Sequence, residues 1–364
     1  MRRLLCVFAA LLAFALSCGS ASAEDVIGSM SLSYAEHFSV DFYDGGAALL
    51  RTGEQEFLLL PAGASVPEGT EKRKRIPIPV QSIYLASSSV PDLFLQMDAL
   101  DLVRYTSTDA PAWRIPELRE AVEEERIAYI GKYSAPDYEA LLTEGCDLVV
   151  ENTMILHNPA TKEKLEALGF PVLIEDSSYE PHPLGRVEWI KLYGLLCGRL
   201  PEAEAFCDRQ AETFRSVEGA EPLNKTVAFF HITANGGVVV RRRADYITRM
   251  IELAGAETAV TELPESDSAL STETIQMESF YAQARDADVL IYNSTVAGDV
   301  TDMESFLSQH PLLRDFKAVK EGNVWCTEMS MFQRSSAAAD MIRELRAVVS
   351  GDEGEDLRYL HRIR

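Results

Sequence analysis

The spacing of apolar positions from residue 80 onward predicts a series of strand–helix units. Ile83–Leu85 is a short apolar run typical of a buried strand, and Asp92–Ala99 places Leu93, Phe94 and Met97 on one helical face. The same alternation continues with strands at Ile127–Ile130, Leu148–Val150 and Val172–Ile174, and with helices at Pro136–Leu142 and Ala160–Leu168. This alternation is typical of a parallel sheet with helices on both faces.

The pattern changes near residue 184 and then begins again. Two amphipathic helices, Leu184–Cys197 and Pro201–Val217, separate the first series from a second. The second series has strands at Val227–His231, Val289–Tyr292 and Val324–Cys326, and helices at Asp245–Ala254, Ile275–Ala284, Met303–Ser308 and Ser336–Val349. We therefore predict an α/β protein with two Rossmann-like lobes, residues 24–200 and 219–364. One long helix at 201–218 joins them, and a ligand cleft lies between them.

Three short apolar runs ahead of these units predict a small antiparallel ribbon. Phe38–Tyr43, Ala47–Arg51 and Glu56–Leu60 are separated by glycine-containing turns. Residues 62–79, which contain several prolines and the basic run Lys72–Arg75, are predicted to form a loop followed by an extended segment. The basic run is expected to face solvent.

The first 23 residues have the features of a secretory signal peptide. Two arginines precede the apolar run Leu4–Leu16, and Ala21-Ser22-Ala23 forms a small-residue cleavage pattern. The stretch Ala15-Leu16-Ser17-Cys18 also resembles a bacterial lipobox, in which Cys18 would carry a lipid anchor. Both readings place the mature protein outside the cytoplasm, in the periplasm or on the outer face of the cell membrane.

The net charge and the spacing of the cysteines exclude some classes of function. The 364-residue chain has a formal net charge of −23, and removal of the leader lowers it to −25. A nucleic-acid partner is not expected, because a protein this acidic would repel a phosphate backbone. The cysteines outside the leader show no metal-finger spacing and are predicted as core residues. Cys197 and Cys207 are close enough in sequence to suggest a disulfide, and the sequence leaves that pairing open.

Four stretches occur in a familiar order over most of the chain: IYLASSS at 83–89, GKYSAPDYE at 131–139, LEALGFPV at 165–172 and FKAVKEGNVW at 316–325. Together they resemble the periplasmic binding proteins that serve ABC importers of iron–siderophore complexes, haem and cobalamin. The resemblance implies two lobes bridged by one long helix and a largely preformed cleft. It also implies a monomer without enzymatic activity or a cofactor of its own, whose partners are an ABC permease and, through it, an ATPase.

The same resemblance implies a docking mode. Members of this family present one surface glutamate on each lobe to arginines of the permease. Glu139 occupies the matching position in the first lobe, and Glu278 is its counterpart in the second.

Chelates of this kind are partly aromatic and often anionic, so their cleft needs aromatic walls and cations. The candidate ligand-binding residues follow predicted strands: Ser87, Ser88, Trp113, Lys132, Tyr133, Asn152, Met154 and His157 in the first lobe, and Arg241, Arg242, Tyr246, Met331 and Phe332 in the second, with Tyr105, Arg243 and Met329 beside them. Consecutive arginines can pair bidentately with carboxylates or phosphates. Residues 87–89 either donate hydrogen bonds to a ligand or cap the following helix.

Three alternatives stay open. A direct Zn²⁺ or Mn²⁺ importer component would use His157, His182 and His231 as ligands. A secreted chelatase-like enzyme would use His231 as a base, and a secreted sensor or adhesion module would involve no transport. The sequence lacks H-E-x-x-H, G-x-S-x-G and phosphate-loop motifs, so an enzyme is not predicted. We expect capture of a metal chelate, an iron complex above all, for delivery to a permease.

Overall fold

The computed structural model describes residues 26–264, 271–298, 300–352 and 356–364, and within these ranges the chain forms three β-sheets. The predicted signal peptide and Cys18 lie outside the described residues. No helix in the described ranges combines the length and apolar character needed to cross a bilayer.

The first sheet confirms the predicted ribbon and extends it. Its strands, in spatial order, are β1 (Gly28–Ser29), β2 (Phe38–Phe42), β3 (Ala48–Thr52), β4 (Gln55–Pro61) and β5 (Lys74–Ile78). Successive strands from β1 to β4 pair antiparallel, whereas β5 pairs parallel with β4. The sequence predicted only an extended segment at β5. Burial of Ile76 opposite Leu59 holds this segment in the sheet, and Lys74 and Arg75 remain exposed.

The second sheet is entirely parallel and forms the first lobe with its helices. The elements in chain order are β6 (Ile83–Leu85), α1 (Pro91–Gln96), β7 (Val103–Thr106), α2 (Pro116–Glu123), β8 (Ala128–Tyr129), α3 (Tyr138–Glu144), β9 (Leu148–Asn152), α4 (Pro159–Ala167) and β10 (Val172–Glu175). Their spatial order is β10-β9-β6-β7-β8. The predicted units are confirmed, and β7 and α2 are additional.

Two helices lead from the first lobe to the second. They are α5 (Pro183–Cys197) and α6 (Leu200–Arg215), and Gly198 ends α5 in the left-handed conformation that glycine adopts readily. Helix α6 occupies the segment predicted as the linking helix. Because α5 packs along α6, the connection consists of two adjoining helices.

The third sheet forms the second lobe. Its elements in chain order are β11 (Thr226–Ile232), β12 (Val238–Arg241), α7 (Tyr246–Leu253), β13 (Glu257–Thr258), β14 (Thr272–Ile275), α8 (Met277–Ala284), β15 (Val289–Tyr292), α9 (Ser294–Ala297), α10 (Met303–Ser308), α11 (Lys317–Lys320), β16 (Val324–Thr327), α12 (Ala338–Ser350) and β17 (Leu360–Arg362). The path is β14-β12-β11-β15-β16-β17, with β13 beside β11. The parallel strands β11, β15 and β16 form its centre, and β12, β14 and β17 add antiparallel edges. The two-lobed, parallel-rich α/β fold is confirmed.

Short 3-10 helices occupy several of the connections: Asp44–Gly46, Leu100–Leu102, Ala110–Ala112, Thr153–His157, Ser177–Tyr179, Pro311–Asp315, Met331–Gln333 and Ser335–Ala337. Two of them, at Met331–Gln333 and Ser335–Ala337, belong to the second lobe but touch the first. Gln333 accepts a hydrogen bond from Arg114 N at 2.8 Å and donates one to Ala112 O at 2.9 Å. Ser336 N donates to the fully buried Asp92 at 2.9 Å. These bonds hold the lobes together on one side of the cleft.

Helix α5 is buried on nearly every face. Trp189 and Tyr193 are buried in the main apolar cluster, which contains residues of both lobes. Near its start, Glu188 accepts backbone N–H groups of residues 33–35, while Glu180 accepts those of residues 36 and 37. Burial raises the pKa of Glu188, but these hydrogen bonds and Lys191 outweigh it and leave the pKa below its ordinary value. The segment ahead of β2 is thereby fixed to α5.

The cysteine predictions are largely confirmed. Cys197, Cys207 and Cys326 are buried, and Cys146 is partly buried. Cys197 and Cys207 are separate thiols, so the suspected disulfide is not formed. Burial raises the pKa of both thiols to about 12, which keeps them protonated at neutral pH.

Close packing of α5 against α6 predicts that Gly194→Ala destabilises the protein. A Cβ atom at residue 194 would lie 2.7 Å from the Ala203 Cβ and 3.0 Å from the Arg199 carbonyl oxygen. We expect the free energy of unfolding to fall by about 1–3 kcal/mol in urea denaturation. Gly28→Ala is the control, because a Cβ there has no neighbour within 4 Å. Equal stability of the two variants would contradict the described packing.

Candidate functional site

A cleft of about 1000 Å³ lies between the two lobes. Its first-lobe wall lies at the carboxyl ends of the parallel strands: residues 86–89 after β6, 107–108 after β7, Tyr133 after β8, 152–154 from the last residue of β9 onward, and 178–180 after β10. Its second-lobe wall consists of residues 241–246, Ser271 and Phe332, and Arg186 of α5 completes the lining. The cleft therefore opens where open α/β sheets usually bind ligands.

The first-lobe wall is rich in hydroxyl groups. Ser87 Oγ lies 3.2 Å from Ser89 Oγ and donates to Glu175 at 3.4 Å. The residue at the N-cap of α1 is Val90, and no side chain caps that helix. The sequence left open whether these serines cap the helix, and the structure shows that they do not. The serines line the cleft instead.

Asn152 shapes the next turn of this wall. Its amide nitrogen donates to Ala86 O at 3.0 Å, and its amide oxygen accepts from Met154 N at 2.9 Å. The first bond links the ends of β6 and β9, and the second fixes the turn that follows β9. Met154 is 51% exposed on the cleft side of this turn, and an apolar side chain presented in this way suits an apolar ligand face.

The opposite wall is cationic. All three consecutive arginines predicted from the sequence line the cleft: Arg241, Arg242 and Arg243. The Arg241 guanidinium lies 4.7 Å from the Phe332 ring centroid and 3.5 Å from an Asp245 carboxylate oxygen. Arg242 pairs with Glu273, whereas Arg243 is exposed.

A fourth arginine, Arg186, was not anticipated. It projects from the first turns of α5 and is only 6% exposed, with its guanidinium 4.0 Å from the Tyr246 ring centroid. Its Nε has no hydrogen-bond partner among the described residues. The sequence contains a signal for it, since Arg186 is one of few charges in the otherwise apolar segment PLGRVEWIKLYGLLC.

The acids near the cleft offset this positive charge only in part. Burial raises the pKa of Asp245 despite the nearby Arg241, and burial likewise raises that of Glu175. Burial raises the pKa of Glu151, directly before Asn152, to about 8, so that carboxyl is mostly neutral at pH 7. Glu180 accepts hydrogen bonds from two backbone N–H groups and from Trp189 Nε1. The cleft lining carries four arginines and two acids, Glu180 and Asp245, so its formal charge is positive.

The comparison of sequences and folds identifies the family. Residues 87–328 match the model of the family described as periplasmic binding protein. The chain belongs to the periplasmic binding protein family. This is a family of substrate-binding components of ABC importers, and the resemblance predicted from sequence is confirmed.

Two similar relatives of this binding protein are uncharacterized lipoproteins of Methanocaldococcus jannaschii. One is 22% identical over 237 residues, which cover 63% of this chain and 54% of the relative, so the match spans about half of that relative's length. The other is 24% identical over 353 residues, which cover 91% of this chain and 86% of the relative. Their names are consistent with an extracytoplasmic location.

Solved structures share the fold. The periplasmic haem binding protein HutB of Vibrio cholerae superimposes with a TM-score of 0.59 at 15% identity, covering 74% of this chain and 98% of that chain. The TroA-like periplasmic binding protein FepB from Veillonella parvula gives 0.60 at 13% identity, covering 79% and 95%. At these identities the likeness concerns the fold alone.

The structure places nine of the thirteen candidate ligand-binding residues on the cleft lining: Ser87, Ser88, Tyr133, Asn152, Met154, Arg241, Arg242, Tyr246 and Phe332. It also adds Ser107, Thr108, Ser178, Tyr179 and Arg186, which the sequence analysis did not name as ligand-binding residues.

Four candidates lie elsewhere in this binding protein. Trp113 is 1% exposed, packs in a small apolar cluster and donates through Nε1 to Thr108 O at 3.2 Å. Met331 is 5% exposed and lies in the core beneath the cleft. Lys132 and His157 are exposed on the surface outside the cleft lining. These four placements correct the sequence prediction, because a loop position next to a strand does not determine which way its side chain points.

The neighbouring residues Tyr105 and Met329 do not line the cleft either. Tyr105 is buried in the first lobe, and its hydroxyl donates to Gly145 O at 3.2 Å. Met329 is partly buried in the turn that follows β16.

The cleft geometry predicts that Arg241 and Arg243 contribute unequally to the stability of the ligand-free protein. Arg241→Gln removes the stronger of the two arginines that favour the charged form of the buried Asp245, the other being Arg186, so we expect the free energy of unfolding to fall by about 2 kcal/mol at pH 7. Arg243→Gln, at an exposed side chain, should change it by less than about 0.5 kcal/mol. The Arg241 effect should shrink as pH falls through the raised pKa of Asp245, because the protonated carboxyl no longer needs a cation. Urea denaturation at pH 7 and pH 4 tests this, and a pH-independent loss would contradict it.

Proposed function

We propose that this binding protein captures a metal chelate that bears anionic groups and delivers it to an ABC permease. The chelate is an iron complex, such as a ferric siderophore or haem, or a cobalamin-like compound. The observation that carries the proposal is the cationic wall of Arg186, Arg241, Arg242 and Arg243, which faces hydroxyl-bearing loops across a cleft of about 1000 Å³. Guanidinium groups bind carboxylates, catecholates and phosphates through directed hydrogen bonds. A cleft of this size accommodates a compact ligand of that kind.

Aromatic side chains support the same cargo. Tyr133 and Tyr179 lie on the first-lobe wall, and Tyr246 and Phe332 lie on the second. Tyr179 is 49% exposed, so part of its ring is available to a flat or aromatic ligand. Cations beside aromatic rings on both walls match a chelate with charged groups around an apolar body.

The direct Zn²⁺ or Mn²⁺ alternative receives no support. The described residues contain no group of three or more His, Cys, Asp or Glu side chains placed to hold a metal ion. His182 stacks on Tyr34 and accepts a hydrogen bond from Leu184 N, while His157 is exposed and His231 is buried in β11. The proposed cargo is therefore a metal that arrives already chelated.

Permease docking through Glu139 and Glu278 is part of the proposal. Each is exposed and is the second residue of its helix, α3 in the first lobe and α8 in the second. The equivalent placement on the two lobes suits a permease that contacts both at once. Delivery from outside the membrane, with an anchor on Cys18 or as a freely secreted protein, agrees with the lipoprotein names of the relatives.

Calorimetric titration of the purified protein tests the cargo class. The panel is haem, cobalamin, ferric citrate, a ferric trihydroxamate, a ferric tris-catecholate, and free Zn²⁺ and Mn²⁺. We expect saturable binding of one chelate with a Kd of about 1 μM or tighter. Its affinity should fall with added salt, because ionic screening weakens the contribution of the arginines.

Variants of this protein supply the control for that titration. Arg243→Gln should weaken binding of the responding chelate about tenfold through loss of a charge-assisted hydrogen bond. Arg249→Gln should not, because Arg249 is exposed on α7 and pairs with Glu252. Saturable binding of a free metal ion alone, or of no panel member, would contradict the proposal.

Charge reversal at the docking glutamates should separate capture from delivery. Glu139→Arg and Glu278→Arg should leave the chelate Kd unchanged and lower chelate uptake by cells about tenfold, because like charges would then face each other at the permease. Glu163→Arg, at an exposed residue of α4, is the matched control. If the variant with both substitutions still takes up the chelate at the normal rate, these glutamates are not part of the docking surface.

A further inference from the structure

A second groove, of about 640 Å³, lies between the first sheet and the first lobe. The β3–β4 hairpin and residues 72–74 form one side, and the 3-10 helix Thr153–His157, α4 and β10 contribute the other. We call it the amino-terminal groove. Its hairpin side precedes the region that matches the family model, which begins at residue 87.

The amino-terminal groove is held in shape by contacts within the protein. The Gln55 side chain donates to Val172 O at 2.9 Å and accepts from Ile174 N at 2.8 Å, so the hairpin is joined to the edge strand β10. Lys74 and Lys162, from opposite sides, both contact Glu166, at 2.6 and 2.9 Å. A groove braced at two points does not need to form upon binding.

Two residues of the groove lining, Thr52 and Leu156, have side-chain groups that few or no protein atoms contact in the usual way for their type: a hydroxyl without a hydrogen bond and an exposed apolar chain. Thr52 is only 3% exposed, and its hydroxyl has no hydrogen-bond partner among the described residues. Buried polar groups are nearly always hydrogen-bonded, so a hydroxyl without a partner among the described residues is unusual. Leu156 is 58% exposed on the other side of the groove, which is unusual for a large apolar side chain.

The charges of the groove favour an acidic group. The acids Glu56 and Asp176 are already paired, with Arg73 and His37, both at 2.7 Å. Lys72 is exposed and makes no ion pair within the described part of the chain, although the acid Glu54 is exposed at the neighbouring turn. Two lysines share the single carboxylate of Glu166. Among the cations of the described groove lining, the Lys72 ammonium is therefore the donor without an ion pair, and ammonium donors bind carboxylate oxygens.

The groove and the cleft meet at one residue. Thr153 lines both, and it begins the 3-10 helix that separates them. Met154 on this ridge lines the cleft, whereas Leu156 lines the groove. A chelate in the cleft could therefore extend an arm across the ridge.

We propose that the amino-terminal groove is a second subsite, which receives a carboxylate-bearing arm of the chelate held in the cleft. The arm's carboxylate binds Lys72, an acceptor oxygen receives the Thr52 hydroxyl, and its apolar part packs on Leu156. This inference rests on the proposed function, and it gives the first sheet a role in cargo selection.

The test compares Kd values of the full-length protein and its variants by calorimetry, with haem, haem dimethyl ester, ferric citrate, cobalamin and a ferric trihydroxamate as probes. Thr52→Val preserves side-chain shape and removes an unpartnered hydroxyl, so its unfolding temperature should not fall. Thr52→Val and Lys72→Gln should each raise the Kd of a carboxylate-bearing probe about tenfold. Arg75→Gln, in the same basic run but outside the groove lining, should change Kd less than about twofold.

The outcomes separate the two proposals. If a chelate binds and Arg243→Gln weakens it while Thr52→Val and Lys72→Gln do not, the cleft function stands and the second subsite is wrong. Binding confined to probes without a free carboxylate would also overturn it. If no probe binds the unmodified protein, the proposed function itself fails, and the subsite fails with it.

Discussion

Burial of helix α5 between the two lobes is the constraint on which the rest of the structure depends. Trp189 and Tyr193 place large aromatic side chains in the core shared by both lobes, which removes much apolar surface from water. Glu180 and Glu188 tie the amino-terminal segment to the same region. Arg186 extends from this buried helix to the cleft lining, so the packing that joins the lobes also positions a guanidinium group of the cleft wall.

The rigidity of this arrangement suits a preformed cleft. Gln333 and Ser336 of the second lobe bond to the first, and Phe332, the residue before Gln333, lines the cleft. Asp92, which receives Ser336 N, is fully buried, and burial raises its pKa in spite of that bond and of Arg334 at 3.6 Å. Separation of the lobes would break these bonds, so large opening motions are unfavourable. A ligand of the cleft would then meet walls that are already in place.

Periodicity predicted the two series of strand–helix units, because each strand and helix repeats apolar residues at its own spacing. It did not predict β12, β14 and β17 as sheet edges, since their antiparallel partners are distant in sequence or lie in segments without clear alternation. The segment at β5 was only partly recognised, because KRIPI has one buried residue, Ile76, beside two exposed charges and one proline.

The candidate site was predictable to the extent that its chemistry is clustered in sequence. Three adjacent arginines and the serine turn were recognised because composition alone makes them unusual. Arg186 was missed because a cation in a mostly apolar helix gives no hint of what it faces, and Trp113 was misassigned because burial depends on tertiary packing. The amino-terminal groove could not be predicted at all, since Thr52 and Leu156 come together only in the folded chain.

The most direct test of the central claim is anomalous X-ray scattering from crystals grown with the chelate that binds in solution. We expect one strong iron or cobalt peak between the serine turn at residues 87–89 and the arginines at 241–243. A metal peak outside the cleft, for example at the exposed His157, would contradict the account, as would bound chelate that makes no contact with either wall.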